Sequence, residues 1–159
     1  MNLSKTELQI LHEIANGNKN IKEIAKALKK STSQIYRSGQ ELINKNFIEK
    51  NRRYYEPKRN THITLLLQLL SQNPSIITPI ADCGIDIFTK ILEPKKIDEM
   101  IKETGFKRST IFKKLKDAKK ISLISVKNRK YTLNEKIWPK AKEFIKELKR
   151  YDETIDKRV

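Results

Sequence analysis

Ser109, Lys113, Lys116 and Lys120 recur at intervals of four, three and four residues, a spacing that sets four side chains along one face of an α-helix. The stretch that carries them, KRSTIFKKLKDAKK (107–120), is half Lys or Arg. Ile111, Leu115 and Ala118 define the opposite, apolar face, and Asp117 falls to one side. A solvated helix face normally mixes charges of both signs, whereas this one carries no carboxylate. Lys is a compact point charge suited to phosphate oxygens. The chemistry available to this face is phosphate binding.

A second stripe has a different chemistry. Ser33, Arg37, Gln40 and Asn44 lie opposite Ile35, Gly39 and Leu42, again with no carboxylate among them and with Glu41 to one side. Arg can hold guanine with two hydrogen bonds and Gln can do the same for adenine, so Arg37 and Gln40 are candidate base readers. Ser31, Thr32, Ser109 and Thr110 sit at the two helix starts, flanked by Gln34, Lys107 and Arg108. Hydroxyls and free N–H groups there can cap the helix or hold a phosphate. Arg52, Arg53, Arg129 and Lys130 mark two hairpin tips, where Arg suits a narrow minor groove, its flanking phosphates, or the protection of a sheet edge. Tyr36 and Phe112 are expected to pack under the hairpins rather than to touch a base.

The elements that must position these residues come twice. Shifted by 76 residues, the difference between Ile21 and Ile97, residues 21–55 fall on residues 97–131 without a gap. Ile21, Glu23, Lys26, Ser33, Ile35, Ile48, Arg53 and Tyr55 meet identical residues, and Tyr36, Arg37 and Phe47 meet Phe112, Lys113 and Leu123. Each copy reads as three helices and a hairpin. In the first, S-K-T-E from Ser4 is a capping box, Leu8, Leu11 and Ile14 recur at helical spacing, and Asn16-Gly17 ends the helix. Ile21, Ile24, Ala25 and Leu28 mark a second helix, and residues 31–45 a third. Two strands, 47–50 and 54–56, flank Asn51-Arg52-Arg53.

In the second copy, Thr78-Pro79 reads as a cap followed by proline at the first helical position, opening a helix through Ile87, Phe88, Ile91 and Leu92. Ile97, Met100 and Ile101 follow, then the helix 108–120 and a hairpin around Lys127-Asn128-Arg129-Lys130. ITLLLQLLSQ (63–72) reads as a linker helix stopped by Asn73-Pro74, and Trp138-Pro139 opens a last helix. The expected organisation is a module over 1–60 and an apolar linker helix and loop over 61–77. A second module over 78–135 and a C-terminal helix and tail over 136–159 complete it.

The order of helix, helix, turn, helix and basic-tipped hairpin is that of a winged helix-turn-helix. IKEIAKALKKSTSQIYRSGQELINKNFI and IDEMIKETGFKRSTIFKKLKDAKKISLI each resemble MarR-like and ArsR-like transcription regulators, including their archaeal relatives. Gly39 departs from the pattern, which usually has a bulky core residue there. The resemblance implies a mainly α fold with small β-hairpin wings (α+β), as two tandem winged helix-turn-helix modules joined by a linker helix. It further implies third helices in the major groove of double-stranded DNA, with wings on the minor groove or phosphates.

Composition agrees. Of 159 residues, 35 are Lys or Arg and 19 Asp or Glu, a net charge of +16, so polyanions are the expected partners. The excess is +7 over residues 1–60, −1 over 61–95, +7 over 96–135 and +3 over 136–159. The near-neutral, apolar stretch 61–95 is expected to pack the modules together, to build a homodimer interface with the C-terminal helix, or both. Cys83 is the only cysteine, which excludes an internal disulfide and a Cys-rich zinc site. His12 and His62 lack carboxylates at ligand spacing and read as surface or packing residues. No phosphate-binding Gly loop, nucleophile elbow or paired-carboxylate motif is present, so no enzyme and no cofactor are expected. The start of the chain has no signal-peptide core, and ITLLLQLL is far shorter than the ~20 residues that span a bilayer. A cytoplasmic, membrane-free regulator of transcription is the expectation. The alternatives are a tandem winged-helix protein-interaction scaffold, or a replication-initiator or chromatin-type DNA-binding protein.

Overall fold

The computed structural model describes residues 1–158 and the side chains of residues 1–155. The described chain is mostly helical with two two-stranded antiparallel hairpins, as the periodicity predicts. Two units form, one of Ser4–Ile77 and one that joins Met1–Leu3 to the chain from Thr78 onward.

In the first unit, Ser4 caps α1 (Lys5–Ala15): its hydroxyl accepts from the Glu7 N–H, and the Glu7 carboxylate accepts from the Ser4 N–H. Glu7 is 4% exposed, and its charge is met by Lys45 Nζ at 2.8 Å. Burying a carboxylate without such a partner costs several kcal/mol, on the order of 3–5 when one partner is deleted. α2 (Ile21–Leu28) and α3 (Thr32–Asn44) follow, capped by Asn20 and Ser31. β1 (Ile48–Asn51) and β2 (Tyr54–Pro57) pair so that Asn51 faces Tyr54, leaving Arg52 and Arg53 as the loop. Leu8, Leu11, Ile24, Ile35, Leu42 and Phe47 are fully buried, each contributing about 1.5–3 kcal/mol by leaving water.

α4 (Thr61–Gln72) is the stretch expected as a linker helix. It packs on α1 and falls within the first unit. Its His62, Ile63, Leu65, Leu66, Leu69 and Leu70 are buried, with the His62 ring edge-on to Phe47 at 5.7 Å. His62 is thus a packing residue.

The second unit opens differently from expectation. Thr78 and Pro79 lie inside the short α5 (Ile77–Ile80) rather than capping a long helix. The chain reverses at Asp82, whose φ is 58°, and α6 (Gly84–Lys90) starts beyond it. A Cβ on Gly84 would sit 2.0 Å from the Pro79 carbonyl oxygen. That close approach breaks what periodicity reads as one helix, and Ile91 and Leu92 fall beyond its end. α7 (Ile97–Thr104), α8 (Arg108–Lys120), β3 (Ile124–Lys127), β4 (Lys130–Leu133) and α9 (Pro139–Arg158) complete the unit. α9 packs on α6, burying Ala141, Phe144, Ile145 and Leu148, while the Trp138 indole donates to the Ile121 carbonyl at 2.9 Å.

The landmarks of the two units recur at the 76-residue spacing. α2 and α7, α3 and α8, and the four strands each begin and end at corresponding residues. The Tyr55 N–H donates to the Lys19 carbonyl at 2.9 Å and that of Tyr131 to Lys95 at 2.7 Å, tying each hairpin to the stub before the second helix. Phe47 and Leu123 donate to Leu42 and Ala118 at 3.0 and 2.9 Å. Positive φ recurs too, at Lys29 and Gly105, Asn46 and Ser122, Arg52 and Asn128.

Candidate nucleic-acid interface

α3 and α8 present their outer faces to solvent. Ser33, Arg37, Gln40 and Asn44 are exposed on α3, opposite the buried Ile35, Gly39 and Leu42. Ser109, Lys113, Lys116 and Lys120 are exposed on α8, opposite the buried Ile111, Leu115 and Ala118. Both stripes therefore stand where the heptad-like spacing places them. Two members of the first stripe engage each other, Gln40 Nε2 donating to Asn44 Oδ1 at 3.1 Å.

The helix starts differ. Ser31 caps α3, its hydroxyl accepting from Gln34 N–H at 3.2 Å while Gln34 Oε1 accepts from Ser31 N–H at 3.1 Å. Thr32 and Gln34 are exposed within that first turn. In α8 the residue at the capping position is Lys107, with no side-chain cap; Ser109 and Thr110 lie one and two residues inside the helix and do not cap it. The N–H groups of that turn thus lack a side-chain acceptor and sit beside two cations, Lys107 and Arg108, an electrostatic setting that favours an anion. Arg108 is held by an ion pair with Asp98, so its charge is already met by a carboxylate.

Among the described residues, Arg37, Arg52, Arg53, Lys107, Lys113, Lys116, Lys120, Arg129 and Lys130 form no ion pair within the chain. All nine are exposed. Unpaired, exposed cations keep their charge available to an external anion.

The hairpin tips carry a further signal. Asn128 and Arg129 both have positive φ, 53° and 62°, the signature of a two-residue turn that normally takes Asn-Gly. Arg52, with φ 57°, holds a position where glycine is also the comfortable choice. An L-residue in this region costs about 1 kcal/mol or more relative to glycine. The chain accepts that cost twice and places arginine there. Lys130 opens β4 rather than standing in the loop, and its side chain is exposed.

Tyr36 and Phe112 are packed less closely than expected: they are 44% and 45% exposed. Lys50 Nζ, on β1, lies 4.7 Å from the Tyr36 ring centre. Phe112 instead lines an open cleft with Leu115, Lys116 and Tyr131. The sequence carries one signal of this cleft, Leu115 at the position that corresponds to Gly39.

Among the described residues no group of three or more His, Cys, Asp or Glu could hold a metal ion, and no helix is long and apolar enough to cross a membrane. No curated protein matches the chain. Residues 1–61, which span the first helix through the first hairpin and the start of α4, match the family described as sugar-specific transcriptional regulator TrmB.

Proposed function

We propose that the chain is a duplex-DNA-binding transcriptional regulator that uses two winged helix-turn-helix modules. The observation that carries this reading is the exposed, carboxylate-free stripe on each of α3 and α8, whose Arg37, Lys113, Lys116 and Lys120 have no ion-pair partner among the described residues. The likeness of residues 1–61 to a transcriptional regulator family supports the same reading for the first module. For the second module the support is the recurrence of the same elements.

The two faces divide the work by their chemistry. α3 enters the major groove, where Arg37 and Gln40 read base edges; Gln40 exchanges its bond to Asn44 for an adenine when it does so. Ser31, Thr32, Ser33, Gln34 and Asn44 line the same approach. α8 positions the duplex through Lys113, Lys116 and Lys120 on phosphates, with Lys107, Arg108, Ser109 and Thr110 around its uncapped start. Arg52, Arg53, Arg129 and Lys130 reach the minor groove or the phosphates beside it. Counterions released by these cations make the affinity fall as salt rises.

The matching family is described as sugar-specific, and the likeness covers residues 1–61 alone. Ile63, Leu65, Leu66, Leu69 and Leu70 of α4 are buried within the folded chain, so for a homodimer built through 61–95 and the C-terminal helix the exposed apolar residues on offer are Ile137 and Ile155.

In vitro selection of bound duplexes at low and at moderate salt tests the proposal. A regulator enriches a defined motif at both; a general chromatin-type binder enriches none, and an interaction scaffold retains no duplex at low salt.

A further inference from the structure

The second module differs from the first at two places where an aromatic ring could be covered. In the first, Tyr55 is buried in the space left by Gly39, and the Tyr36 ring is covered by Lys50 Nζ. In the second, Leu115 stands in the place of Gly39, and Tyr131 is half-exposed. Val126 stands in the place of Lys50, 43% exposed, and brings no ammonium to the Phe112 ring. Phe112 and Tyr131 therefore both open onto one cleft of about 660 Å³, floored by Leu115 and rimmed by Lys113, Lys116 and Lys119. The two rings make no contact with each other among the described residues.

We propose that this cleft takes an unstacked nucleobase of single-stranded DNA, with the base against the Phe112 ring and its phosphates on the rimming lysines. An apolar ring face next to three ammonium groups matches the two parts of a nucleotide: a flat π surface and a charged backbone. A buried apolar segment of another protein would need acidic partners for the same lysines, and a free inorganic anion would leave Phe112 and Tyr131 unused. The choice of DNA over RNA rests on the duplex reading above, because α8 is then already placed on DNA.

The test is anisotropy of labelled oligothymidylate, about 12 nucleotides long to suit a short binding groove, and of a duplex carrying the selected motif. Wild type is compared with Phe112→Leu, which keeps an apolar side chain of similar reach but has no ring. The expected result is binding of oligothymidylate weakened about tenfold by Phe112→Leu, with duplex affinity changed less than about twofold and salt dependence of the duplex unaltered. Equal binding of oligothymidylate by both proteins overturns the proposal, as does tighter binding of oligouridylate than of oligothymidylate. Loss of single-strand binding in the variant, together with no duplex binding by wild type, supports the cleft and contradicts the regulator reading.

Discussion

A Cβ on Gly39 would lie 2.0 Å from the hydroxyl oxygen of Tyr55. The tyrosine ring of the second wing strand thus occupies the volume that a side chain on the third helix would fill, and its hydroxyl reaches the Ile35 carbonyl at 3.4 Å. The helix runs unbroken through Gly39 from Thr32 to Asn44. Glycine is there for packing, and the hairpin and α3 are locked together by one ring.

Gly39→Ala should therefore destabilise the protein by about 1–3 kcal/mol, the usual range for overpacking a core. Urea denaturation measures it. In combination with Tyr55→Leu the loss should be much smaller than the sum of the two single losses, since the clash exists only when both groups are present. Additive losses would mean that the two residues do not share this space.

The same burial gives a pH signature. Loss of water around the Tyr55 phenol pushes its pKa from 10.0 up to about 12, with Tyr36 adding a smaller push. The folded state holds this proton more tightly than the unfolded state does. Its contribution to stability is thus complete below pH 10 and is lost progressively as pH rises from about 10 toward 12. Denaturation midpoints across that window should fall for wild type and fall less steeply for Tyr55→Phe.

Lys29 ends α2 with φ 54°, where the second module has Gly105 with φ 74°. Lys29→Gly should stabilise the first unit by about 1 kcal/mol, because glycine adopts this conformation without a Cβ clash. Gly105→Ala should cost a similar amount by the same argument. Thermal unfolding of the two variants checks both signs.

At the wing tips stability and binding should move in opposite directions. Arg52→Gly and Arg129→Gly relieve the positive-φ strain and should each raise stability by about 1 kcal/mol. Each should also weaken duplex binding and reduce the slope of log affinity against log salt by about one. A variant that gains stability with unchanged affinity would assign that arginine to the turn alone.

Much of this was legible in the residues. The Ser4–Glu7 box, the apolar spacing of α2, α3, α7 and α8, and the 76-residue shift rest on local periodicity and capping, and the two outward stripes follow from the same periodicity. What was not legible depends on contacts distant in sequence. Gly39 made sense only once Tyr55 was seen across it. The break between α5 and α6 hangs on the approach of Gly84 to the Pro79 carbonyl, while the periodicity of Ile87, Phe88 and Ile91 continues through to suggest one helix. Ser109 and Thr110 looked like caps by residue type; the helix starts one residue earlier, at Arg108. α4 had the length of a linker helix, and only its packing on α1 shows that it belongs to the first unit.

On the proposed function the outer faces of α3 and α8 meet duplex DNA, the first reading bases and the second holding phosphates. The most direct measurement is the salt dependence of affinity for the selected duplex and for a scrambled one, in wild type, Arg37→Ala/Gln40→Ala and Lys113→Ala/Lys116→Ala. The first double variant should lose about 1–3 kcal/mol per base contact on the selected duplex alone. The second should weaken both duplexes alike and lower the salt slope by about two. Affinity that is flat with salt, or no duplex binding at low salt, would contradict the proposed function.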